Sequence, residues 1–494
     1  MVDRTAFDEL LASVSLPSLP SQDLVEIIGS DPVIETPFLA GEAVASALAA
    51  QAASVLKIWE MRTGKRQCVS IDLKAAVNSL TGLNNIYQSG HLVDVGITNE
   101  PTVGFYPTLD SKWIFVLGLF PHLRDGLLNL LNSNNSREAM GESISKYKAQ
   151  ELEDTIAEHG LSGGMLRTQD EWRLHPQGKA LLELPVVDVL KIGESEPQEF
   201  KGSGNNKNNG GGHSGKNEIY SGSSSSGATT RPLSGIRVID MTRLLAGPMA
   251  TRLLAEQGAD VMHISSPNLP FLLAALLETG WGKRSAYIDL DKPQDVNQLK
   301  KLVSQADIFV ENYHRSGLSK HGLSPLELAN LRPGIIYVSE SAYGEAGPWQ
   351  YRRGAEQLAE TVTGISAELG AIDSPKLFPG YLNDYLTGYL AAFGACAALI
   401  RRATHGGSYW VRVSLCRTAM WIQDLGRVEH LSLDKRKKTM AVNQITANDQ
   451  ESYMIESPSP FGIIKHVAPV AKYSETPSYY QLPVVPLGAH MPAW

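Results

Sequence analysis

The sequence predicts an α/β protein: a Rossmann-like, doubly wound, mostly parallel sheet with a second, smaller α+β domain and an internal duplication. Three observations carry this expectation. Strand and helix patterns alternate regularly between Ile236 and Ser339. A helix–turn–strand block running from Glu42 to Leu73 recurs from Asp384 to Leu415, displaced by a constant 342 positions that also align Leu48 with Leu390, Gly64 with Gly406 and Val69 with Val411. Finally, 494 residues exceed one ordinary core, and length alone suggests roughly three domains.

The elements are expected as follows. Ala43 to Trp59 is Ala-rich and helical, and Cys68 to Leu73 alternates like a strand. Ile97 to Leu119 reads as strands around the turn Thr108–Ser111, with Trp113 to Val116 as the second. Glu151 to Glu158 is a short amphipathic helix. Residues 201–230 are dominated by Gly, Ser and Asn; such a stretch buries too little apolar surface to offset its ordering entropy and reads as a flexible linker. It divides an N-terminal half, residues 1–200, from a C-terminal half, residues 231–494.

Beyond the linker, Ile236 to Met241 is a strand, and Pro248 stands in the first turn of a helix, where its missing N–H is no loss. That helix runs to about Gln257 and stops at Gly258. Asp260 to Ile264 and Ser285 to Leu290 are further strands. A helix opens at Asp291 with Pro293 in its first turn and Val296, Leu299, Leu302 and Val303 on one face. Strands at Ile308 to Val310 and Ile335 to Ser339 complete the alternation. Ligands of such sheets bind beyond the strands' carboxyl ends, here Thr242 to Gly247, Asn312 to Arg315 and Ala342 to Gly347.

Composition excludes several classes. A net charge of −8 and a pI near 5.9 argue against a nucleic-acid partner. The three cysteines, Cys68, Cys396 and Cys416, are widely separated and show neither a disulfide framework nor metal-ligand spacing. No metal site is expected from the dispersed histidines. The first residues lack a signal-peptide pattern, the longest apolar run, Thr387 to Ile400, is too short for a bilayer, and the chain ends without a targeting tripeptide. The expectation is a protein without a membrane segment, cytoplasmic, with a mitochondrial placement left open.

The first strand–helix turn, Asp240 to Pro248, has neither the G-x-G-x-x-G fingerprint nor a phosphate-loop Gly-Lys-Ser/Thr. No Gly-x-Ser-x-Gly elbow or His-Glu-x-x-His is present. What is present is an ordered set: Gly235-Ile-Arg-Val-Ile-Asp-Met-Thr-Arg243 with Ala246-Gly-Pro; Gly258-Ala-Asp-Val; Lys283-Arg-Ser with Ile288-Asp-Leu; Ala306-Asp-Ile-Phe-Val-Glu-Asn-Tyr313; Tyr343-Gly with Gly347-Pro; and Asp384 with Thr387-Gly. In that order, these segments resemble the family III CoA-transferases, the group of formyl-CoA transferase, carnitine CoA-transferase and α-methylacyl-CoA racemase. Arg62 to Leu73, and Phe105-Tyr-Pro-Thr with Asp110 and Trp113, are similar to the later part of the same fold. A partial copy thus precedes a fuller one, as in fused relatives.

The resemblance implies that Asp384 is a nucleophile. A carboxylate attacking a thioester gives a mixed anhydride and frees CoA thiolate, and one thioester then replaces another without ATP or metal. Local sequence also allows Asp384 to be a helix N-cap, and Glu42 to be either a degenerate copy or a helix-end charge. For the coenzyme, the resemblance implies Arg243, Leu244, Ala246, Gly282, Lys283 and Arg284, then Asn312, Tyr313, Lys320, His321, and Arg352 or Arg353. Arg and Lys suit phosphates. Two departures from the family pattern stand out: Ser265–Phe271 replaces an Arg-Pro-Gly stretch, and Ala355 stands where racemases carry a His. A racemase needs an acid/base pair across the α-carbon, so the second departure favours transfer.

The resulting expectation is a CoA-transferase acting on acyl-CoA and carboxylic acid substrates, with no permanently bound cofactor. It would be an interlocked homodimer or a monomer whose halves mimic one. An epimerase or CoA lyase of the same fold, or a non-catalytic CoA-binding protein, are the alternatives.

Overall fold

The computed structural model describes residues 5–14, 24–96, 100–200, 230–313, 315–428 and 444–494. Of the expected linker, only Thr230 lies among them; the first residues of the strand region expected from Ile97 also lie outside.

From Arg237 onward, six strands run parallel in one sheet: Arg237–Met241, Asp260–Ser265, Lys283–Tyr287, Ile308–Glu311, Ile336–Ser341 and Ser408–Ser414. Numbered in chain order, they lie side by side as 3-2-1-4-5-6. The winding therefore reverses between the first and fourth strands, and such a switch point opens a crevice at the carboxyl ends. Side chains alternate between two covered faces. Val238, Val310 and Val338 pack with Leu253 and Leu254 of the helix Ala246–Glu256 and with Leu386 and Leu390 of the helix Leu382–His405. Ile239, Met262 and Phe309 pack on the opposite face with Leu299, Leu302 and Val303 of the helix Pro293–Val303. The third strand begins two residues before its expected start, because pairing with Val261–Ser265 fixes its register from Lys283.

The helices Ala40–Thr63 and Leu382–His405 each have 24 residues. They start at the 342-residue displacement, end at the positive-φ glycines Gly64 and Gly406, and lead into the strands Val69–Asp72 and Ser408–Ser414. They pack against one another within one apolar cluster.

A smaller α+β unit stands beside the large sheet. Its antiparallel strands Val103–Pro107, Trp113–Leu117 and Gly163–Met165 are covered by the helices Pro121–Leu131, Arg137–Ile144 and Ala149–Glu158. Ile114, Val116, Leu127, Met140 and Ile156 form its core.

The division of the chain at residues 200 and 231 does not divide the fold in space. Asp188–Gly193 closes the large sheet as an antiparallel edge strand on Ser408–Ser414. In the other direction, Gly462–Val467 pairs with Tyr87–Gln88, and Lys472–Tyr473 pairs with Val69–Asp72. No helix among the described residues is long and apolar enough to cross a membrane, and none of their His, Cys, Asp and Glu side chains form a cluster suited to a metal ion.

Candidate active site

The crevice is shaped by the turn that follows Met241. Leu244 there takes a left-handed conformation, φ 68°, which costs a non-glycine residue about 1–2 kcal/mol. Asn312, just past the fourth strand, over-determines the turn: its side-chain oxygen accepts the Arg243 N–H at 2.9 Å and its amide donates to the Arg243 carbonyl at 2.9 Å. The second amide hydrogen goes to Glu340 Oε2 at 3.0 Å. Strain held in this way is characteristic of functional turns.

The helix Leu382–His405 is brought to this turn by Gly388. A Cβ there would lie 2.6 Å from the Ala246 carbonyl oxygen, so only glycine lets the two helices touch. Asp384 consequently faces the same space as the start of the helix Ala246–Glu256. The cleft is open to solvent, spans about 1250 Å³ and is lined by Arg243, Leu244, Ala246, Asn312, Tyr313, Glu340, Arg352, Arg353 and Asp384. Phe120, His122 and Ser162 of the smaller unit form its opposite wall. A second cavity of about 610 Å³ shares Phe120, Arg243, Leu244 and Tyr313 with it; apolar groups such as Pro270, Leu272 and Leu276 alternate on its wall with polar ones such as Thr242, His263 and Thr279. The segment Ser265–Phe271 contributes to that wall.

Asp384 is half-buried in the first turn of its helix. Burial, followed by the charges of Glu356 and Glu340, pushes its carboxyl well above the usual range. Its backbone is held by Glu356, which is 1% exposed. That carboxyl group, pushed well above the usual range by burial and by Glu360, accepts the Asp384 N–H at 2.5 Å, the Asn383 N–H at 3.0 Å and the Asn383 side-chain amide at 3.1 Å. Asp384 therefore does not cap its own helix; Glu356 does. One turn further along, Glu360 accepts the Phe378 N–H at 2.8 Å, and burial raises its carboxyl to about 8. Burial and neighbouring acids also raise Glu311 to about 8 and Glu340 to about 7.

The cations are distributed unevenly. Arg243 donates to the Pro270 carbonyl and lies 4.9 Å above the Phe120 ring. Arg352 is committed to Asp154 of the smaller unit at 2.5 Å and stacks on Trp349. Arg353 is exposed and makes no ion pair among the described residues. His122 stacks on Phe120, and burial together with Arg353 and Arg243 lowers its tendency to protonate.

Other residues expected at the coenzyme site stand elsewhere. Lys283 touches the smaller cavity, but its ammonium is buried and spends its three hydrogens on Asp240 at 2.9 Å, the Pro248 carbonyl at 2.8 Å and Thr251 at 2.7 Å. Arg284 is paired with Asp260 at 2.8 Å and bonded to the Ala493 carbonyl. Gly282 gives its N–H to the Leu482 carbonyl. Lys320 and His321 follow the short helix Arg315–Ser319 and line neither cavity.

Sequence reasoning missed Phe120, His122, Glu340 and Glu356. The first two lie in the other half of the chain. Glu356 stands beside the noted Ala355, yet its role depends on a helix 27 residues away.

Comparison with known proteins adds the following. Residues 233–456 match the model of the CoA-transferase family III. The chain is 37% identical over 199 residues to an acetyl-coenzyme A transferase, nodX, of Hypoxylon pulicicidum, covering 39% of this chain and 34% of that protein. It is 32% identical over 325 residues to an acyl-CoA transferase of Gibberella moniliformis, covering 62% of this chain and 52% of the relative. The chain thus spans about a third to a half of these relatives' lengths. Among solved structures, Rv3272 of Mycobacterium tuberculosis is 29% identical with a TM-score of 0.37, over 40% of this chain and 58% of that one.

Proposed function

Residues 233–456 belong to CoA-transferase family III, and on that premise we propose that this chain moves coenzyme A from an acyl-CoA thioester to a free carboxylic acid. The observation that carries the reading is Asp384, a carboxylate in the first turn of a helix on the wall of a cleft that also holds Arg243 and Arg353.

An Asp384 oxygen attacks the thioester carbonyl; the C–S bond breaks and the thiolate leaves with the electron pair. The resulting acyl–aspartyl anhydride is attacked at its aspartyl carbonyl by that thiolate, which releases the first acid as carboxylate and leaves an aspartyl-CoA thioester. A second carboxylate attacks the thioester and forms a new anhydride. The thiolate then takes its acyl group and restores Asp384. No net proton is exchanged, and covalent catalysis divides one difficult exchange into easier steps.

Arg243 and Arg353 supply charge for the coenzyme phosphates, and the fixed donor fork of arginine suits them. Leu244, Ala246, Asn312 and Tyr313 shape the passage to Asp384, and the adjoining cavity of mixed lining takes the adenine end. Arg352, tied to Asp154, braces the wall. We read the large sheet as Rossmann-like and the paired helices as a duplication whose first copy, with Glu42 in place of Asp384, is a scaffold. A single chain then mimics a dimer of halves; an interlocked homodimer is the competing arrangement, and light scattering on the eluting protein separates the two.

Asp384→Asn tests the assignment. Exchange of acyl groups between CoA and free acids should fall at least about 10³-fold, while calorimetric CoA affinity is retained. Full exchange by the variant would remove Asp384 from the chemistry.

A further inference from the structure

Glu340 is an acid that the reaction just described does not use. It lies near the end of the strand Ile336–Ser341, is 6% exposed, and lines the same cleft as Asp384. One oxygen, Oε2, is fixed by the Asn312 amide at 3.0 Å. The other has no protein hydrogen-bond partner among the described residues and is not sealed from the cleft. Glu340 forms no ion pair among the described residues.

The groups around it are mostly acidic. Glu345 and Asp384 line the cleft with it, and Glu311 stands on the neighbouring strand. The nearby cations are engaged elsewhere or lie toward the mouth: Arg243 goes to the Pro270 carbonyl, Arg352 goes to Asp154, and Arg353 is exposed beside His122. A buried carboxyl among carboxyls keeps its proton. Two such groups in one site share protons as a pair.

Resting on the transferase reading above, we propose that Glu340 is a second catalytic carboxyl: in the ionisation state where the pair's one proton sits on Glu340, it donates a hydrogen bond from its free oxygen to the acyl oxygen while the Asp384 carboxylate attacks. The hydrogen stays on Glu340 throughout. Asp384 forms the C–O bond, negative charge gathers on the acyl oxygen against the Glu340 O–H, and it returns to carbon as the thiolate departs. A neutral acid aimed at a developing oxyanion is a strong stabiliser because it is prepaid in position. Burial and the acids around it hold Glu340 at about 7, so the donor is lost as pH rises through that value.

Glutamine at this position preserves the arrangement: its carbonyl accepts from Asn312 and its amide donates into the cleft. The test uses acetyl-, succinyl- and hexanoyl-CoA, each with its own isotopically labelled acid, and follows the fastest pair from pH 5.5 to 9. Glu340→Ala should lower kcat about 100-fold with little change in KM, the usual loss for one oxyanion donor. Glu340→Gln should remain within about tenfold of the wild type, an amide being a weaker donor than an acid, and should lose the wild type's decline above neutrality. If Glu340→Gln is as slow as Glu340→Ala, or if the alkaline decline persists in it, the donor role is wrong although Asp384 stands. If the wild type exchanges none of the three pairs, or Asp384→Asn exchanges as fast as the wild type, the transferase reading itself fails.

Discussion

At the scale of single residues, the site runs on carboxyls held in unusual states. Glu356 binds three N–H donors at the start of the Asp384 helix. The matching helix is supported alike: Asp31 accepts the Gly41 N–H at 3.1 Å and the Glu42 N–H at 2.7 Å, and burial raises it to about 6. Both helix starts therefore rest on a borrowed carboxyl group; Asp384, unlike Glu42, lines the cleft. Glu356→Ala would leave three buried donors without an acceptor. We expect a loss of about 3 kcal/mol in denaturant unfolding, together with a drop in kcat as the Asp384 turn loosens. A variant as stable as the wild type would show that water replaces the carboxylate without cost.

At the scale of elements, punctuation was legible and pairing was not. Pro248 and Pro293 mark helix starts, and Gly258, φ 99°, marks a stop, because each acts on its own backbone. The 342-residue displacement of the two helix starts was legible because it compares the chain with itself. The edge strand Asp188–Gly193 was not, since its partner is 215–224 residues away in sequence and nothing local reports it. The basic pair Lys283-Arg284 reads as a phosphate site in sequence, yet the strand directs Lys283 inward to Asp240 and Arg284 to Asp260. Lys283→Met would leave Asp240 buried without its counter-charge and should destabilise the fold by about 3–5 kcal/mol. CoA affinity of the folded fraction, measured by calorimetry, should stay within about twofold. A weakened affinity at unchanged stability would return Lys283 to the coenzyme.

At the scale of the whole molecule, the first 200 residues complete the cleft of the last 264. The smaller unit gives Phe120 and His122 to one wall and holds Arg352 through Asp154. Buried acids in and around the cleft also set the response to pH. Glu311 and Glu360, held near 8, and Glu340, near 7, keep protons that the unfolded chain gives up near 4.5. Stability contributed by these protons is present at low pH and declines as pH rises, by about 1.4 kcal/mol per pH unit for each proton fully retained. His175 and His466, lowered to about 4 and about 3, act in the opposite sense only below about 6.5. Thermal unfolding should therefore occur at lower temperature at pH 8.5 than at pH 6.5; a flat or rising profile would mean that these buried acids are ionised in the folded protein. The measurement closest to the chemistry is a trap: incubation with acyl-CoA, quenching with hydroxylamine, and peptide mass analysis. An aspartyl hydroxamate is expected at Asp384, dependent on acyl-CoA and absent from Asp384→Asn. Acyl transfer that proceeds with no modification on that peptide would contradict it.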